Sequence, residues 1–287
     1  MEEWFHGHNY LDHVPPSQWD QQDSRVEANT DLCLALLEQY GVQATFFVLG
    51  WIADRHPDLV RRISEAGHEI GCHSYGHPIL FRLTEEEFVA DLDQALAALK
   101  RAGVHECRCY RAPSFSLTPA VHHFLPLLAE RGIRIDCSLF PIHHPRYGQP
   151  ATPRRPFLLE GTVQNPFTVL PMTTVRMAGL NIPFSGGGYM RLLPERIYRS
   201  MRRRAWRQNV PVILYVHPWE LDSFRPQVGL SPWNRWRSQG GQNSMPAKLA
   251  AILSEGRFQT VGDYIETRLD AGDLPVHHLK FADDFAN

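Results

Sequence analysis

The chain has 287 residues and lacks any apolar run approaching the roughly 18–20 residues of a membrane-spanning helix. Cysteine is scarce, with five in all, and their odd number shows no spacing typical of a disulfide framework. An excess of charge is also missing, since the formal net charge is -2. We therefore expect no nucleic-acid partner and no stable membrane insertion. The acidic and aromatic first residues are unlike a signal peptide, and with the cysteine usage they predict a cytosolic protein.

Strand-like and helix-like segments alternate along the first half of the chain. Apolar runs predict strands at 43–49, around Ile70, at 108–110 and at 133–136. Helical periodicity predicts helices between them, at 31–40, 58–66, 84–102 and 119–131. Asn29 or Thr30 is expected to cap the first of these helices. This rhythm predicts parallel βα units and an α/β fold.

The alternation stops between about 140 and 190, where proline, glycine and histidine are dense. The clearest strand there is 168–172, and the length of the segment predicts an excursion across the mouth of the sheet. We expect a single domain over residues 1–287, with a C-terminal extension at about 220–287.

Regular elements return after this excursion. Residues 194–208 predict a helix whose arginines form a solvated face, with an anionic-ligand site as the alternative. A buried strand is predicted at 210–216, immediately before His217, and helices are predicted at 247–255 and 263–269.

His73 and His77 follow the strand around Ile70, where the chain passes into a loop. Imidazoles four residues apart on one turn of backbone can point at one position, and neutral imidazole is the commonest metal ligand. Zinc would need one further carboxylate to form an open catalytic site. By itself the His-x-x-x-His pattern is weak, because two ordinary loop histidines would look the same.

Four stretches fall at the ends of predicted strands, where parallel α/β folds place their active sites. They are residues 2–4, 73–77, 111–115 and 214–218. Taken together and in this order, they resemble the motifs of the polysaccharide deacetylase family (NodB-homology, carbohydrate esterase family 4-like). The resemblance implies a distorted (β/α)7 barrel that hydrolyses N-acetyl groups on glycans with a bound metal.

Further stretches resemble the subgroup linked to exopolysaccharide and exosortase loci, which has a DUF3473-type C-terminal tail. These stretches are residues 4–6, 183–189, 191–194 and 233–248. This resemblance implies a role in exopolysaccharide or cell-wall glycan metabolism.

The resemblance also implies roles for single residues. The implied metal ligands are Glu2, His73 and His77. His217 matches the acid that protonates the departing amine, and a histidine bonded to backbone is the alternative. Arg111 matches the arginine that holds the catalytic carboxylate, with a surface ion pair as the alternative. Asp136 could orient His217 like the carboxylate of a triad, or it could simply be a cap.

The first motif departs from the family pattern. The family places a general-base aspartate two residues before the carboxylate ligand, and residues two apart in a strand share a face. Matched here, the ligand falls on Glu2 and the base falls one position before Met1. Glu3 would point to the opposite face, so it is a second choice for the ligand and a poor substitute for the base. Either the start lies upstream of this sequence, or the protein keeps the site without its catalyst.

Aromatic side chains near the motifs are candidates for stacking on a sugar. The predicted substrate-binding residues are Trp4, Pro113, Phe115, Tyr189 and Trp219. The glycine run at 186–188 lacks the Lys-Ser/Thr and the strand–helix setting of a phosphate-binding loop. We interpret it as a flexible lip over the sugar groove.

The expected function is metal-dependent N-deacetylation, with zinc as the cofactor and a polysaccharide or oligosaccharide as the partner. One alternative is hydrolysis of another C–N bond, in a cyclic amide or ureide. The other is carbohydrate binding by a protein that has lost its base. The sequence leaves the oligomeric state open.

Overall fold

A computed structural model describes residues 1–7, 10, 13–160 and 166–279. The strands in this part of the chain are β1 (Thr45–Val48), β2 (Glu69–Cys72), β3 (Cys109–Tyr110), β4 (Ile135–Asp136), β5 (Phe157–Leu159), β6 (Thr168–Val169), β7 (Thr174–Met177), β8 (Leu180–Pro183) and β9 (Val276–His277).

The α-helices in the same ranges are α1 (Val26–Gln39), α2 (Gly50–Arg55), α3 (Pro57–Glu65), α4 (Glu85–Arg101), α5 (Phe124–Glu130), α6 (Gly187–Leu192), α7 (Glu195–Arg207), α8 (Pro232–Gln239), α9 (Met245–Leu253) and α10 (Val261–Asp270). No helix among the described residues has both the length and the apolar character needed to cross a bilayer.

Seven strands form one sheet in the order β1, β2, β3, β4, β6, β5, β9. The pairings from β1 through β4 to β6 are parallel, whereas β5 runs antiparallel to β6 and parallel to β9. The four strands predicted in the first half of the chain are confirmed as β1–β4. Their carboxyl ends meet at one edge of the sheet, which is where parallel α/β folds assemble a site.

Helix α4 shows how local signals set the elements around this sheet. The Thr84 side chain accepts a hydrogen bond from the backbone of Glu87, and the Glu87 carboxylate accepts one from the backbone of Thr84. This reciprocal cap satisfies two free donors of the first turn. The buried side of the helix packs through Phe88, whose ring stacks on Phe124 of α5 at a centroid distance of 4.3 Å. Helix α4 is thereby fixed against the strands that carry the histidines.

Helix α1 begins earlier than the sequence predicts. Asn29 and Thr30, the expected caps, are buried inside the helix. The free amides at the start of the helix are instead bound by the carboxylate of Glu3, which accepts hydrogen bonds from Arg25 and Val26 at 3.0 Å. A carboxylate at a helix N-terminus is favoured by the helix dipole. The cap comes from a distant residue, so local sequence could not reveal it.

The segment from about 140 to 190 is more regular than predicted. The expected strand at 168 is confirmed as β6, but β5 and β6 both belong to the main sheet, and β7 and β8 form a separate hairpin. Only part of the segment lies at the mouth, where Tyr147 packs against Phe115 with ring centroids 5.8 Å apart.

The prediction of a buried strand at 210–216 is wrong. The segment is extended but mostly half-buried, and its single bridge joins Tyr215 to Gly186. Its amides are bound by loop groups instead, since the Ile213 amide donates to the Thr173 hydroxyl at 2.7 Å. These partners are isolated groups, so no ladder is formed by the segment in the described part of the chain. The segment forms one wall of a cavity of about 880 Å³.

Candidate metal centre

His73 follows β2 directly and is buried. Its Nδ1 lies 2.5 Å from the backbone oxygen of Arg111, which can only accept, so Nδ1 carries the hydrogen. The lone pair is then on Nε2, which lies 3.9 Å from Oε2 of Glu2. Burial lowers the pKa of His73 well below its ordinary value, so the ring is neutral. A neutral, oriented imidazole is suited to bind a metal.

The loop between the two histidines is held in an unusual conformation. Ser74 and His77 have φ values of 65° and 57°, in the left-handed region that non-glycine residues seldom adopt. The carboxylate of Asp91, on α4, accepts hydrogen bonds from the amides of Tyr75 and Gly76 at 2.9 and 3.2 Å. Asp91 thus keeps both histidines aimed at one position, since it offsets the cost of the strained backbone. The sequence analysis missed it, although an acid next to the buried stripe of α4 was a visible signal.

Glu2 is buried between three histidines. Its Oε2 lies 3.1 Å from His77 Nε2, and its Oε1 lies 3.6 Å from His217 Nε2. Burial acts to raise the pKa of Glu2, but the facing His77 and His217 side chains outweigh it and hold the pKa well below its ordinary value. The carboxylate is therefore ionised and able to act as a ligand.

The donor set fits a divalent metal. The ligand atoms of Glu2, His73 and His77 all lie within 4.8 Å of one another. The buried Oε2 atom of Glu2 forms no hydrogen bond with the described residues, although it lies 3.1 Å from Nε2 of His77. Leaving a buried charged oxygen unsatisfied is costly, and a bound cation removes that cost. Two imidazoles and one carboxylate are typical ligands of an open catalytic zinc site.

His217 is held by a residue that the sequence analysis missed. The Oε2 atom of Glu220 lies 2.9 Å from the backbone amide and 3.3 Å from Nδ1 of His217. Arg191 in turn donates from Nε to Oε1 of Glu220 at 2.8 Å, in a buried ion pair. Burial acts to lower the pKa of His217, but the carboxylates of Glu2 and Glu220 raise it above its ordinary value. The signal was a capping pattern, with Pro218 and then Glu220 directly after His217.

Asp136 does not orient His217. Its carboxylate accepts hydrogen bonds from the amide and the hydroxyl of Ser138, at 3.1 and 2.5 Å. Burial raises the pKa of Asp136 to about 6, against the lowering effect of these bonds and of Arg111. The triad-like role predicted for Asp136 is wrong, because both of its oxygens accept hydrogen bonds from Ser138 and not from His217.

Arg111 is half-buried and lines the cavity of the site. Its Nε donates to the backbone oxygen of Cys137 at 3.2 Å, and its guanidinium lies 4.4 Å from the ring centroid of Phe47. Burial lowers its pKa, and within the described ranges no carboxylate pairs with it. The alternative of a surface ion pair is therefore wrong, whereas a role in holding a carboxylate stays a prediction.

Glu3 is excluded from the site. Its side chain points away from Glu2, as the alternation of a strand predicted, and it is fully buried against the start of α1. The Ser24 hydroxyl donates to it at 2.5 Å, in addition to the two backbone amides of α1. A carboxylate bound in this way cannot serve as the base or as a ligand.

The predicted sugar-binding residues divide into two groups. Phe115 and Trp219 line the cavity above the histidines, and Trp219 stacks on His217 with ring centroids 5.2 Å apart. Trp4 and Pro113 are buried and do not line it, so their predicted contact with a sugar is wrong. Tyr189 is half-buried and also does not line the cavity.

The glycine run at 186–188 is not a flexible lip. A Cβ at Gly186 would lie 2.3 Å from the Tyr215 hydroxyl oxygen, and one at Gly187 would meet the Glu220 carboxylate. Both glycines are buried, and Gly187 begins α6. Glycine is required here because the backbone approaches the groups that support His217.

Comparisons with known proteins agree with this geometry. The family model described as polysaccharide deacetylase matches residues 17–134, and the one described as domain of unknown function DUF3473 matches residues 137–266. The second match includes the stretches at 183–189 and 233–248 on which the resemblance to a DUF3473-bearing subgroup rests. The chain is 37% identical, over 84 residues, to a peptidoglycan-N-acetylglucosamine deacetylase of Bacillus cereus. That match covers 29% of this chain and 30% of the relative, so the chain spans under a third of the relative's length.

Solved structures show the fold. A Mycobacterium smegmatis protein named as a candidate polysaccharide deacetylase superposes with a TM-score of 0.65 at 21% identity, covering 95% of this chain and 89% of that one. Puue allantoinase superposes with a TM-score of 0.57 at 16% identity, covering 84% of this chain and 72% of that one. The predicted barrel-like α/β fold is confirmed. On this fold, the chain therefore carries a polysaccharide deacetylase domain, matched over residues 17–134, followed directly by a DUF3473 domain, matched over residues 137–266.

Proposed function

We propose that the protein is a metal-dependent hydrolase that removes N-acetyl groups from a polysaccharide or oligosaccharide, in exopolysaccharide or cell-wall glycan metabolism. The observation that carries the proposal is the convergence of Glu2, His73 and His77 beside His217 at the floor of a cavity with aromatic walls. The Bacillus cereus relative supports the substrate class, since its name specifies an N-acetylated sugar. A single catalytic domain in the cytosol is part of the same proposal.

Zinc is the proposed cofactor, held by Glu2, His73 and His77. When bound, it would polarise the acetyl carbonyl and lower the pKa of a water molecule. The protein supplies the remaining polar groups. The Nε2 atom of His217 faces the site while its Nδ1 is held by Glu220, so Nε2 is placed to give a proton to the departing amine. Burial acts to raise the pKa of Glu220, but His217 and, to a smaller extent, Arg191 outweigh it and hold the pKa below its ordinary value, so the carboxylate is ionised.

The substrate would enter along the aromatic wall of the cavity. Phe115 and Trp219 offer apolar ring faces, which can pack on the apolar face of a sugar ring. Arg111 also lines the cavity, and no carboxylate among the described residues forms an ion pair with it, although Asp136 is near enough to interact with its charge. We propose that it holds the carboxylate that acts as the base, the role that the family resemblance implies.

Carbohydrate binding without catalysis is the second candidate. One observation favours it, namely that Glu3 and Asp136 are both committed to other hydrogen bonds and neither can serve as the base. A carbohydrate-binding protein without a base would hold its metal with the same three ligands, so the ligand geometry does not separate the two candidates. Hydrolysis of a cyclic amide or ureide is the enzymatic alternative, because the fold is shared with an allantoinase and does not by itself separate the substrates.

Acetate release decides among these candidates. The 287-residue chain would be incubated with zinc and N-acetylated chito-oligosaccharides, and in parallel with a panel of cyclic imides and ureides. We expect the oligosaccharides to release acetate only slowly, because neither Glu3 nor Asp136 can serve as the base, and His217→Ala should lower this rate by a further factor of roughly 10²–10⁴ with the metal content unchanged. Turnover of the cyclic compounds alone would overturn the proposal in favour of the alternative hydrolase. Saturable oligosaccharide binding without acetate would establish the binding protein.

A further inference from the structure

Helix α7 presents a row of arginines to solvent. Residues three and four apart on a helix share a face, and the side chains along one face of α7 line a common surface groove. These side chains are Arg196, Arg199, Ser200, Arg203, Arg204 and Arg207. Arg199 is paired with Glu195 at 2.7 Å and Glu255 at 2.8 Å. We call the other four arginines the arginine stripe, and within the described part of the chain none of them forms an ion pair.

Two large apolar side chains border this stripe. At 100° per residue, Ile197 and Trp206 lie on its opposite flanks, and 49% and 76% of their surfaces are exposed. Single exposed apolar side chains are common, whereas a group of them beside a charged surface marks an interaction site. The helix therefore combines a cationic centre with apolar margins.

A hairpin beside the helix ends in a second exposed apolar group. Strands β7 and β8 are joined by Ala178 and Gly179, both in the left-handed region with φ values of 48° and 81°. Two such residues make the tight turn preferred in hairpins. Met177 and Leu180 flank the turn and are 40% and 52% exposed. Residues 177–180, the apolar tip, contain no charge.

The hairpin is fixed to the end of α7. The side chain of Gln208, which follows the last helical residue, accepts a hydrogen bond from the Arg176 amide at 2.9 Å. It also donates to the Arg176 carbonyl at 3.0 Å. Arg176 immediately precedes the apolar tip, and its own exposed guanidinium has no carboxylate partner among the described residues. The arginine stripe and the apolar tip are therefore parts of one continuous surface.

We propose that this surface docks on an anionic lipid bilayer. The apolar tip would enter the headgroup layer, and the arginine stripe would contact lipid phosphates. Surface-bound proteins combine these two contributions, because each basic residue near an anionic leaflet adds electrostatic attraction and each buried apolar group adds hydrophobic energy. A dissolved polyanion would use the arginines but would leave the four exposed apolar side chains in water. The lipid surface accounts for both, and docking requires no helix that spans the membrane.

The test is sedimentation with vesicles of phosphatidylcholine alone, and of phosphatidylcholine with a third of phosphatidylglycerol. We expect the protein to sediment with the anionic vesicles, less so as the salt concentration rises. Arg203→Glu with Arg204→Glu should weaken binding at least about 10-fold, because each basic residue near the surface contributes severalfold. Arg61→Glu with Arg62→Glu on α3, the same change of charge elsewhere, should have little effect. All four positions are exposed, and circular dichroism would verify that the variants are folded.

The apolar tip separates a bilayer from other anionic partners. Met177→Ser with Leu180→Ser should weaken binding to the anionic vesicles and leave binding to dextran sulfate unchanged. Vesicle binding that is the same in this variant and in the original chain would overturn the proposal and make the stripe a polyanion site. Absence of binding to anionic vesicles at low salt would also overturn it.

Discussion

The ligand atoms of Glu2, His73 and His77 meet within 4.8 Å, and each histidine should be necessary for tight metal binding. His73→Ala and His77→Ala should each abolish stoichiometric zinc binding, since the two remaining ligands cannot hold a tetrahedral site tightly. Elemental analysis after dialysis measures this directly. A chelator should lower the melting temperature of the original chain but not that of either variant, because metal stabilises only a protein that binds it.

His105→Ala is the matched control, because this histidine is exposed and distant in sequence from the ligands. It should keep the full metal content. The site assignment is wrong if either ligand variant binds zinc with the affinity of the original chain.

Glu220 should act on turnover through His217. Glu220→Gln keeps the size of the side chain but removes the charge that faces Nδ1 of His217. Residues that orient a catalytic group from behind typically contribute about 10–100-fold, so we expect kcat to fall by that factor. Zinc content and KM should change little, because the Glu220 carboxylate forms its hydrogen bonds with His217 and Arg191 and not with the three proposed ligands. An unchanged kcat would show that His217 is held in place by other contacts.

Asp136 should make stability depend on pH. Burial raises its pKa from 3.8 to about 6, so the folded state favours the protonated form. Its stabilising contribution is then complete below about pH 4 and is lost as the pH rises through about 6. Asp136→Asn does not titrate there, and should gain up to about 3 kcal/mol relative to the original chain between those values. Urea unfolding at both ends of the range measures the difference.

Asp270→Asn, at an exposed carboxyl group, provides the comparison for this effect. Its stability relative to the original chain should be nearly the same at both pH values. A difference for Asp136→Asn that is equally flat would contradict the raised pKa.

At the scale of elements, the start of α6 leaves room for the Glu220 carboxylate, which holds His217. A Cβ at Gly187 would overlap the Glu220 carboxylate, whereas one at Gly188 would meet only Arg191, at an ordinary 3.8 Å. Gly187→Ala should therefore displace Glu220 and lower kcat, with zinc content unchanged. Gly188→Ala should leave kcat near its original value. Equal effects of the two substitutions would show that the loss reflects helix α6 as a whole and not Glu220.

The elements that sequence predicted well are those specified by neighbouring residues. Strand β2 and helix α4 were both recovered, the latter because Thr84 and Glu87 form a local cap. The start of α1 was missed because its cap, Glu3, lies more than twenty residues away in the chain. The prediction failed where two interacting residues are far apart in the sequence, and not where the helix or strand propensity was weak.

The candidate site shows the same division. The pair His73 and His77 could be inferred from its spacing at the end of a strand, whereas Glu2 was implied by the family resemblance alone. The partner of His217 could not be chosen on these grounds, since Asp136 and Glu220 are both carboxylates near predicted strand ends. Only the fold shows that Asp136 is bound by Ser138 and that Glu220 reaches Nδ1 of His217.

At the scale of the whole molecule, the two family matches share one sheet. Strand β4 lies at their junction and pairs with β3 of the deacetylase match on one side and with β6 of the DUF3473 match on the other. We therefore predict that the chain unfolds in one cooperative transition. Circular dichroism and tryptophan fluorescence should give coincident urea curves. Two separated transitions would contradict the single-domain prediction for residues 1–287.

The placement of Glu220 also bears on how this chain could be recombined with its relatives. The metal ligand pair His73 and His77 comes from the deacetylase match, while Glu220, Arg191 and Gly187 come from the DUF3473 match. A chimera that joins the first half of this chain to the second half of a homologue should keep His217 oriented only if the incoming half brings the arginine, the glutamate and the glycine together. Arg191, Glu220 and Gly187 should therefore be exchanged together in any library of such chimeras.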